Sequence, residues 1–198
     1  MDCTFGRGGH TVELLRHMGD SGAVIGLDRD PAARAAGEAL AAREPRFRFR
    51  RARFSALAGV AAAEGVAGRV DGILFDLGVS SPQLDDAGRG FSFREEGPLD
   101  MRMDPESDES AAGWLARASE EEMIRALREY GEERYARRIA RAIVRRRAEA
   151  PLATTRELAA LVAAASPTRE RHKHPATRVF QAVRMQVNDE PGELRAGL

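Results

Sequence analysis

Asp2-Cys3-Thr4-Phe5-Gly6-Arg7-Gly8-Gly9-His10 opens the chain, and Val24-Ile25-Gly26-Leu27-Asp28 follows after room for one helix. Glycines where a strand turns into a helix let the backbone approach a ligand with no Cβ in the way. The second stretch reads as a short buried strand ending in a carboxylate. In nucleotide-binding α/β folds that group commonly accepts hydrogen bonds from ribose hydroxyls. Together the two stretches describe a pocket for an adenosine-containing cofactor. The Gly-x-Gly-Gly spacing differs from the Gly-x-Gly-x-x-Gly of nicotinamide enzymes, which disfavours an oxidoreductase. Val70-Asp71-Gly72-Ile73-Leu74-Phe75-Asp76-Leu77 is a further apolar run with a carboxylate, Asp76, near its end. Ligands bind at the carboxyl ends of strands in open parallel sheets, so Asp28 and Asp76 are expected at one crevice.

Composition bounds the rest. With 198 residues, 43% of them hydrophobic, the chain can bury a core as one domain with an insertion. A formal net charge of +0 leaves no global field to announce a nucleic-acid partner. Charge is nevertheless uneven: residues 46–53 and 134–147 are arginine-rich, while 104–109 and 120–122 are acidic. The single cysteine, Cys3, excludes an internal disulfide and offers no metal cluster. No signal-length apolar segment opens the chain and no long uncharged apolar run follows, so the expectation is a soluble cytoplasmic protein.

Strands and helices alternate at first. Residues 11–18 predict a helix with Gly19 closing it, 23–27 a strand, and 31–43 a helix capped by Asp30 with Pro31 in its first turn. Phe47-Arg48-Phe49-Arg50 alternates at period two, a strand signal. A helix over 55–64 and a strand over 70–77 complete a doubly wound parallel sheet with helices on both faces. Residues 82–105 form a long segment rich in Gly, Asp and Arg, a length usually reserved for functional or disordered loops. Helices dominate afterwards. Ser119-Glu120-Glu121-Glu122 and Thr154-Thr155-Arg156-Glu157 are capping boxes for helices over 123–129 and 158–165. Residues 132–149 predict a longer helix with Ile139, Ile143 and Val144 inward. The division expected is a core over 1–103, a helical insertion over 104–171, and a return to the core over 172–198.

Several long motifs resemble one family. They are Thr4-Phe5-Gly6-Arg7-Gly8-Gly9-His10, Ile25-Gly26-Leu27-Asp28-Arg29-Asp30-Pro31, the run from Asp71 to Asp85, and Arg89-Gly90-Phe91-Ser92-Phe93. Gly97-Pro98-Leu99-Asp100-Met101-Arg102-Met103-Asp104, Arg128-Glu129-Tyr130-Gly131-Glu132-Glu133-Arg134 and Lys173-His174-Pro175-Ala176-Thr177-Arg178 follow in order. On these the chain resembles the bacterial ribosomal RNA small-subunit methyltransferase H (MraW) family. The resemblance implies a Rossmann-like S-adenosylmethionine-dependent methyltransferase sheet with an inserted helical subdomain. It also implies methylation of N4 of a cytidine in 16S ribosomal RNA near the decoding site, with 16S RNA or the small ribosomal subunit as partner. Against the family pattern the chain starts almost on the glycine motif and stops early, so it reads as truncated at both ends, with an unpaired sheet edge expected.

The resemblance assigns cofactor contacts to Gly8, Gly9, His10, Asp28, Phe54, Asp76 and Gln83. The residues alone nominate the glycine turn, Asp28 and Asp76; His10, Phe54 and Gln83 come from the family. Methyl transfer from a sulfonium is an in-line displacement, so alignment supplies most of the catalysis. The exocyclic amine of cytosine is a poor nucleophile, helped by an acceptor that takes up its proton. Asp76 is the first candidate for that acceptor, with cofactor binding or capping of the next loop as its other readings. Phe54 suits a core position as well as an adenine wall, and His10 an ordinary first-turn polar residue. Arg102, Lys173, His174 and Arg178 sit in family motifs and are assigned to substrate binding. Phe91 and Phe93 suit either base stacking or burial, and the arginines of 134–147 suit either phosphates or a solvated helix face. The residues leave open a methyltransferase acting on another RNA or nucleobase, and a truncated, non-catalytic RNA-binding or ribosome-assembly remnant.

Overall fold

A computed structural model describes residues 1–106, 109–167 and 174–198. The chain divides into two compact units. One comprises Met1–Ser80, Met103–Pro105 and Glu190–Leu198; the other comprises Ser81–Arg102 and Glu106–Asp189.

The first unit is built on parallel pairing. Strand β1 (Val24–Asp28) pairs with β2 (Phe47–Arg51), Val24 opposite Phe47 and Asp28 opposite Arg51. Asp2 bridges to Gly26 on one side and to Leu74 on the other, both in parallel sense. Numbered along the chain, these four extended segments lie in the order 3-2-1-4, the first half of a doubly wound sheet and the first strand beyond its switch point. Phe47 and Phe49 share one face of β2 and meet Phe5 there, Phe47 stacked at a centroid distance of 5.2 Å and Phe49 edge-on at 5.3 Å. Arg48 and Arg50, on the other face of β2, both reach Glu64, Arg48 at 2.8 Å. That division explains the period-two pattern of the strand.

Helices cover both faces, as expected. α1 (Gly9–His17) and α2 (Pro31–Ala41) bury Leu15, Ala33 and Leu40 against Phe5, Val24 and Phe47. α3 (Leu57–Ala63) lies behind a short 3-10 turn, Phe54–Ala56, and packs Leu57 with Cys3, Ile25 and Leu27 on the opposite face. Asp30 caps α2 by accepting from the Ala32 N–H at 2.8 Å, and Pro31 occupies the first turn.

The fourth strand is shorter than the sequence predicts. Only Leu74 within 70–77 forms a bridge, and Ile73 and Leu77 are 49% and 52% exposed. Apolar content signals a strand, but a ladder also needs regular pairing along its length. Here Cys3 N–H donates to Leu74 C=O and Leu74 N–H to Met1 C=O, while on either side Gly72 C=O accepts from the Met1 amino group and Asp76 N–H turns to the Thr4 hydroxyl.

The second unit is helical: α4 (Ser81–Asp85), α5 (Ala111–Arg117), α6 (Glu120–Glu129), α7 (Ala136–Glu149), α8 (Thr155–Ala165) and α9 (Ala176–Val187). The last helix, α10 (Glu190–Gly197), belongs to the first unit. Both capping boxes form. α7 starts later than predicted because 132–135 turn first, with Glu132 at φ +50°. Its buried side is Ala136, Ile139, Ala140 and Ile143, while Val144 is half-buried.

The segment over 82–105 is ordered by pairing. Leu99 N–H donates to Ala153 C=O at 2.8 Å and Thr155 N–H to Gly97 C=O at 3.0 Å. Leu99 and Met101 are buried, and Met101 adopts φ +60°. The Asn188 side chain holds that unusual backbone by donating to the Met101 carbonyl at 2.7 Å.

Thr154→Ala removes the acceptor for the Glu157 N–H of α8 and should lower stability by about 1 kcal/mol. Chemical denaturation checks this through a shifted midpoint with an unchanged slope.

Candidate functional site

The glycine turn leaves the central segment of the first unit's sheet. Gly8 adopts φ +82°, and a Cβ built there would lie 2.7 Å from the Phe5 ring, so both conformation and space require glycine. A Cβ at Gly9 would meet nothing within 4 Å. α1 begins here with no side-chain cap, and the first-turn N–H groups of a helix have no intrahelical partner. The helix is fastened to the sheet by Thr11, whose hydroxyl donates to the buried Asp2 carboxylate at 2.7 Å.

Asp28 ends β1 beside this turn. Its Oδ2 accepts from the Gly6 N–H at 2.8 Å, and its Oδ1 from the Asp30 N–H at 2.9 Å. A carboxylate has about four acceptor positions, so each oxygen keeps one further position for a ligand hydroxyl. Burial pushes the Asp28 carboxyl above the ordinary Asp range; the two N–H bonds oppose that push without cancelling it.

Asp76 arrives from the other side. Its N–H donates to the Thr4 hydroxyl at 2.7 Å, and its Oδ2 lies 3.7 Å from Nδ1 of His10. Both side chains are exposed, 59% for His10 and 65% for Asp76. The structure thus gathers Gly8, Gly9, His10, Asp28 and Asp76 where strand order reverses, the place at which open α/β sheets bind ligands. Thr4 and Gly6 are the anchors that sequence reasoning missed. They lie within the quoted motif, but their partners are 72 and 22 residues away, and no local pattern reveals such a pairing.

Phe54 stands at the end of the turn after β2, half-buried, with its ring edge-on to Phe75 at 5.8 Å and 89°. Ala52 N–H donates to Asp28 C=O at 3.0 Å, so that turn is tied to the end of β1.

The remaining predicted residues belong to the second unit. Gln83 is buried on α4. Arg102 grips Asp100 in a fork, Nε to Oδ1 at 2.8 Å and Nη2 to Oδ2 at 2.7 Å. Burial favours the neutral form of Asp100, yet the Arg102 hydrogen bonds and charge outweigh it and hold the carboxyl below its usual range. His174 packs its ring 4.7 Å from Phe93, which also meets Phe180 at 4.8 Å. Arg178 is half-buried on α9, and Lys173 lies outside the described residues. Phe91 is buried, with the Arg89 guanidinium 5.6 Å from its ring centre.

The arginines of 134–147 separate by role. Arg147 donates through Nη1 to the carbonyls of Leu115 and Ala118, each at 2.7 Å, closing the end of α5. Arg146 pairs with Glu157 at 3.2 Å, and Arg141 with Glu120 at 3.0 Å. Arg137, Arg138 and Arg145 are exposed. Among the described residues no helix is long and apolar enough to cross a membrane.

Comparison with known proteins places the whole chain in one family. Residues 1–198 match the profile of the MraW methylase family. A ribosomal RNA small subunit methyltransferase H from Thioalkalivibrio sulfidiphilus is 60% identical over 190 residues, covering 96% of this chain and 60% of the relative. The protein of that name from Methylococcus capsulatus is 54% identical over 199 residues, covering 100% of this chain and 66% of the relative. That from Chromohalobacter salexigens is 54% identical over 198 residues, covering 100% of this chain and 59% of the relative. The chain therefore spans 59% to 66% of the length of these relatives.

Two stability effects follow from the geometry. Because the native state raises the Asp28 pKa, folding binds that proton more tightly than the unfolded chain does. This group's contribution to stability is present below the ordinary Asp pKa and is lost as pH rises through the raised value. Denaturation across pH 3 to 7 should show that decline in the wild type and its absence in Asp28→Asn. Arg147→Ala should cost about 1–2 kcal/mol by leaving the Leu115 and Ala118 carbonyls without their donor, a loss that Arg138→Ala does not produce.

Proposed function

The chain belongs to the MraW methylase family, and from that premise we propose that it serves S-adenosylmethionine-dependent methylation of N4 of a cytidine in 16S ribosomal RNA, near the decoding site. The observation that carries this reading is the meeting of the glycine turn, Asp28 and Asp76 at the switch point of a parallel sheet. Relatives bearing the name of a small-subunit ribosomal RNA methyltransferase supply the substrate class.

The residues fit an adenosine-containing methyl donor. Asp28 retains one acceptor position on each oxygen, a pattern suited to the two vicinal hydroxyls of a ribose. The space over Gly9 admits a ligand close to the backbone. Phe54, on the turn tied to Asp28, is assigned to the adenine. S-adenosylmethionine supplies an electrophilic methyl group on a sulfonium.

The chain's contribution is then alignment and proton handling. The cytosine amine must lose conjugation with its ring and present a lone pair in line with the methyl group. We assign Asp76 to that amine: its carboxylate would accept the N–H hydrogen bond and take the proton released as the methyl group exchanges its bond to sulfur for one to nitrogen, the donor leaving as a neutral thioether. The Thr4 hydroxyl fixes the Asp76 backbone while the carboxylate stays open to solvent. Substrate recognition is assigned to the helical residues 104–171, with Arg102, Lys173, His174 and Arg178 contacting RNA. Because Arg102 is already forked to Asp100, its part is to brace the loop.

Calorimetric titration with S-adenosylmethionine should give saturable binding where NADH gives none. Asp28→Ala should weaken that binding by about 1–3 kcal/mol, and unchanged affinity would remove the ribose assignment. Incubation with small subunits and mass spectrometry of the digested 16S RNA should then reveal N4-methylcytidine. A methyl group on another base or atom would refute the substrate proposal while leaving the cofactor site intact. Asp76→Asn should slow transfer by about 100-fold or more with little change in cofactor affinity. A full-rate Asp76→Asn variant would move the proton acceptor elsewhere.

A further inference from the structure

We infer that Glu193, on α10, is a positioning residue for the adenosine end of the cofactor: it holds the turn that carries Phe54. The inference rests on the cofactor reading above and extends it to a helix that no motif marks as functional.

Phe54 lies between two residues gripped by one carboxylate. Glu193 Oε1 accepts from Nη1 of Arg53 at 3.3 Å, and Oε2 accepts from the backbone N–H of Ser55 at 3.3 Å. The Glu193 side chain is only 9% exposed, whereas that of Arg53 is 46% exposed. A carboxylate removed from water persists where hydrogen bonds replace its hydration, and here both oxygens find partners on the Phe54 turn. A second contact acts on the backbone. A Cβ added at Gly197 would come within 2.9 Å of the Phe54 carbonyl oxygen, so α10 lies directly against that peptide.

The opposite end of the same turn is fastened to the ribose side, through Ala52 N–H to Asp28 C=O at 3.0 Å. Without α10, the turn would keep its tie at Ala52 and the Phe75 contact of the Phe54 ring but lose the grip on Arg53 and Ser55 that flanks it. With it, the aromatic ring and the carboxylate of Asp28 share one rigid frame. Pre-organisation of this kind improves affinity by removing the ordering cost that a mobile wall would impose on binding.

The test is a double-mutant cycle on ligand affinity, read by calorimetry with S-adenosylmethionine and with adenosine. Wild-type protein is titrated first; failure to bind either ligand overturns the cofactor reading itself. Given wild-type binding, Glu193→Ala should raise Kd for both ligands by about tenfold, and Glu193→Gln by less, because one amide oxygen still accepts from Ser55. In a Phe54→Ala background, Glu193→Ala should have no further effect, since the ring it positions is gone. A merely stabilising role predicts the opposite, equal fold-changes in both backgrounds. Gly197→Ala, which perturbs Phe54 without removing charge, should give the same non-additive pattern. Should Glu193→Ala fail to fold, Glu193→Gln and Gly197→Ala complete the cycle. Wild-type affinity in those variants, or effects that multiply with Phe54→Ala, would overturn the inference.

Discussion

The segment from Asp2 to Phe5 is hydrogen-bonded on both of its edges, and the first unit is organised around that fact. Asp2 and Phe5 exchange bonds with Ile25 and Leu27 of β1, while Cys3 donates to Leu74 on the far side. That segment cannot shift without breaking its hydrogen-bonded bridges on both sides, so the turn leaving it is delivered to a fixed place. That place lies between the ends of two neighbouring segments running in opposite connection order. Gly6 then points its N–H at Asp28, and Thr4 receives the N–H of Asp76. Asp2 serves the same frame from inside, fully buried and bonded to the first turn of α1.

Burial of charge is resolved differently at three carboxylates. Asp28 has only backbone N–H partners, so desolvation prevails and its pKa rises. Asp100 has a guanidinium fork, and the same desolvation is overcome. Glu193 divides its oxygens between a side chain and a peptide N–H. The first arrangement suits a group that still has ligand hydroxyls to accept; the others suit groups whose acceptor positions brace the fold.

Arginines illustrate the limit of reading charge along a helix. The run over 134–147 looks uniform in sequence, and a uniform run invites a single role. In the structure Arg147 closes the end of α5 and Arg146 pairs across to Glu157, while Arg137, Arg138 and Arg145 face solvent. Similarly, Phe91 is committed to burial, and Phe93 is sandwiched with His174 and Phe180. Such sorting depends on what lies across from each side chain, which helical periodicity does not encode.

What the sequence by itself determined is the part written in local terms. Strand–helix alternation, the glycine turn, the carboxylate ending β1 and both capping boxes depend on near-neighbour geometry and survive in the structure. Composition over 70–77 also marked an extended segment, but its pairing shrank to a bridge at Leu74, since a ladder is a property of two segments. The ordering of 82–105 was equally hidden, because Ala153, Thr155 and Asn188 supply its partners from far along the chain. Only the tertiary structure decided that Thr4 and Gly6 would anchor Asp76 and Asp28, and that α10 would hold the turn of Phe54. Those contacts are closed by long loops, and their partners are selected by packing and register rather than by any spacing along the chain.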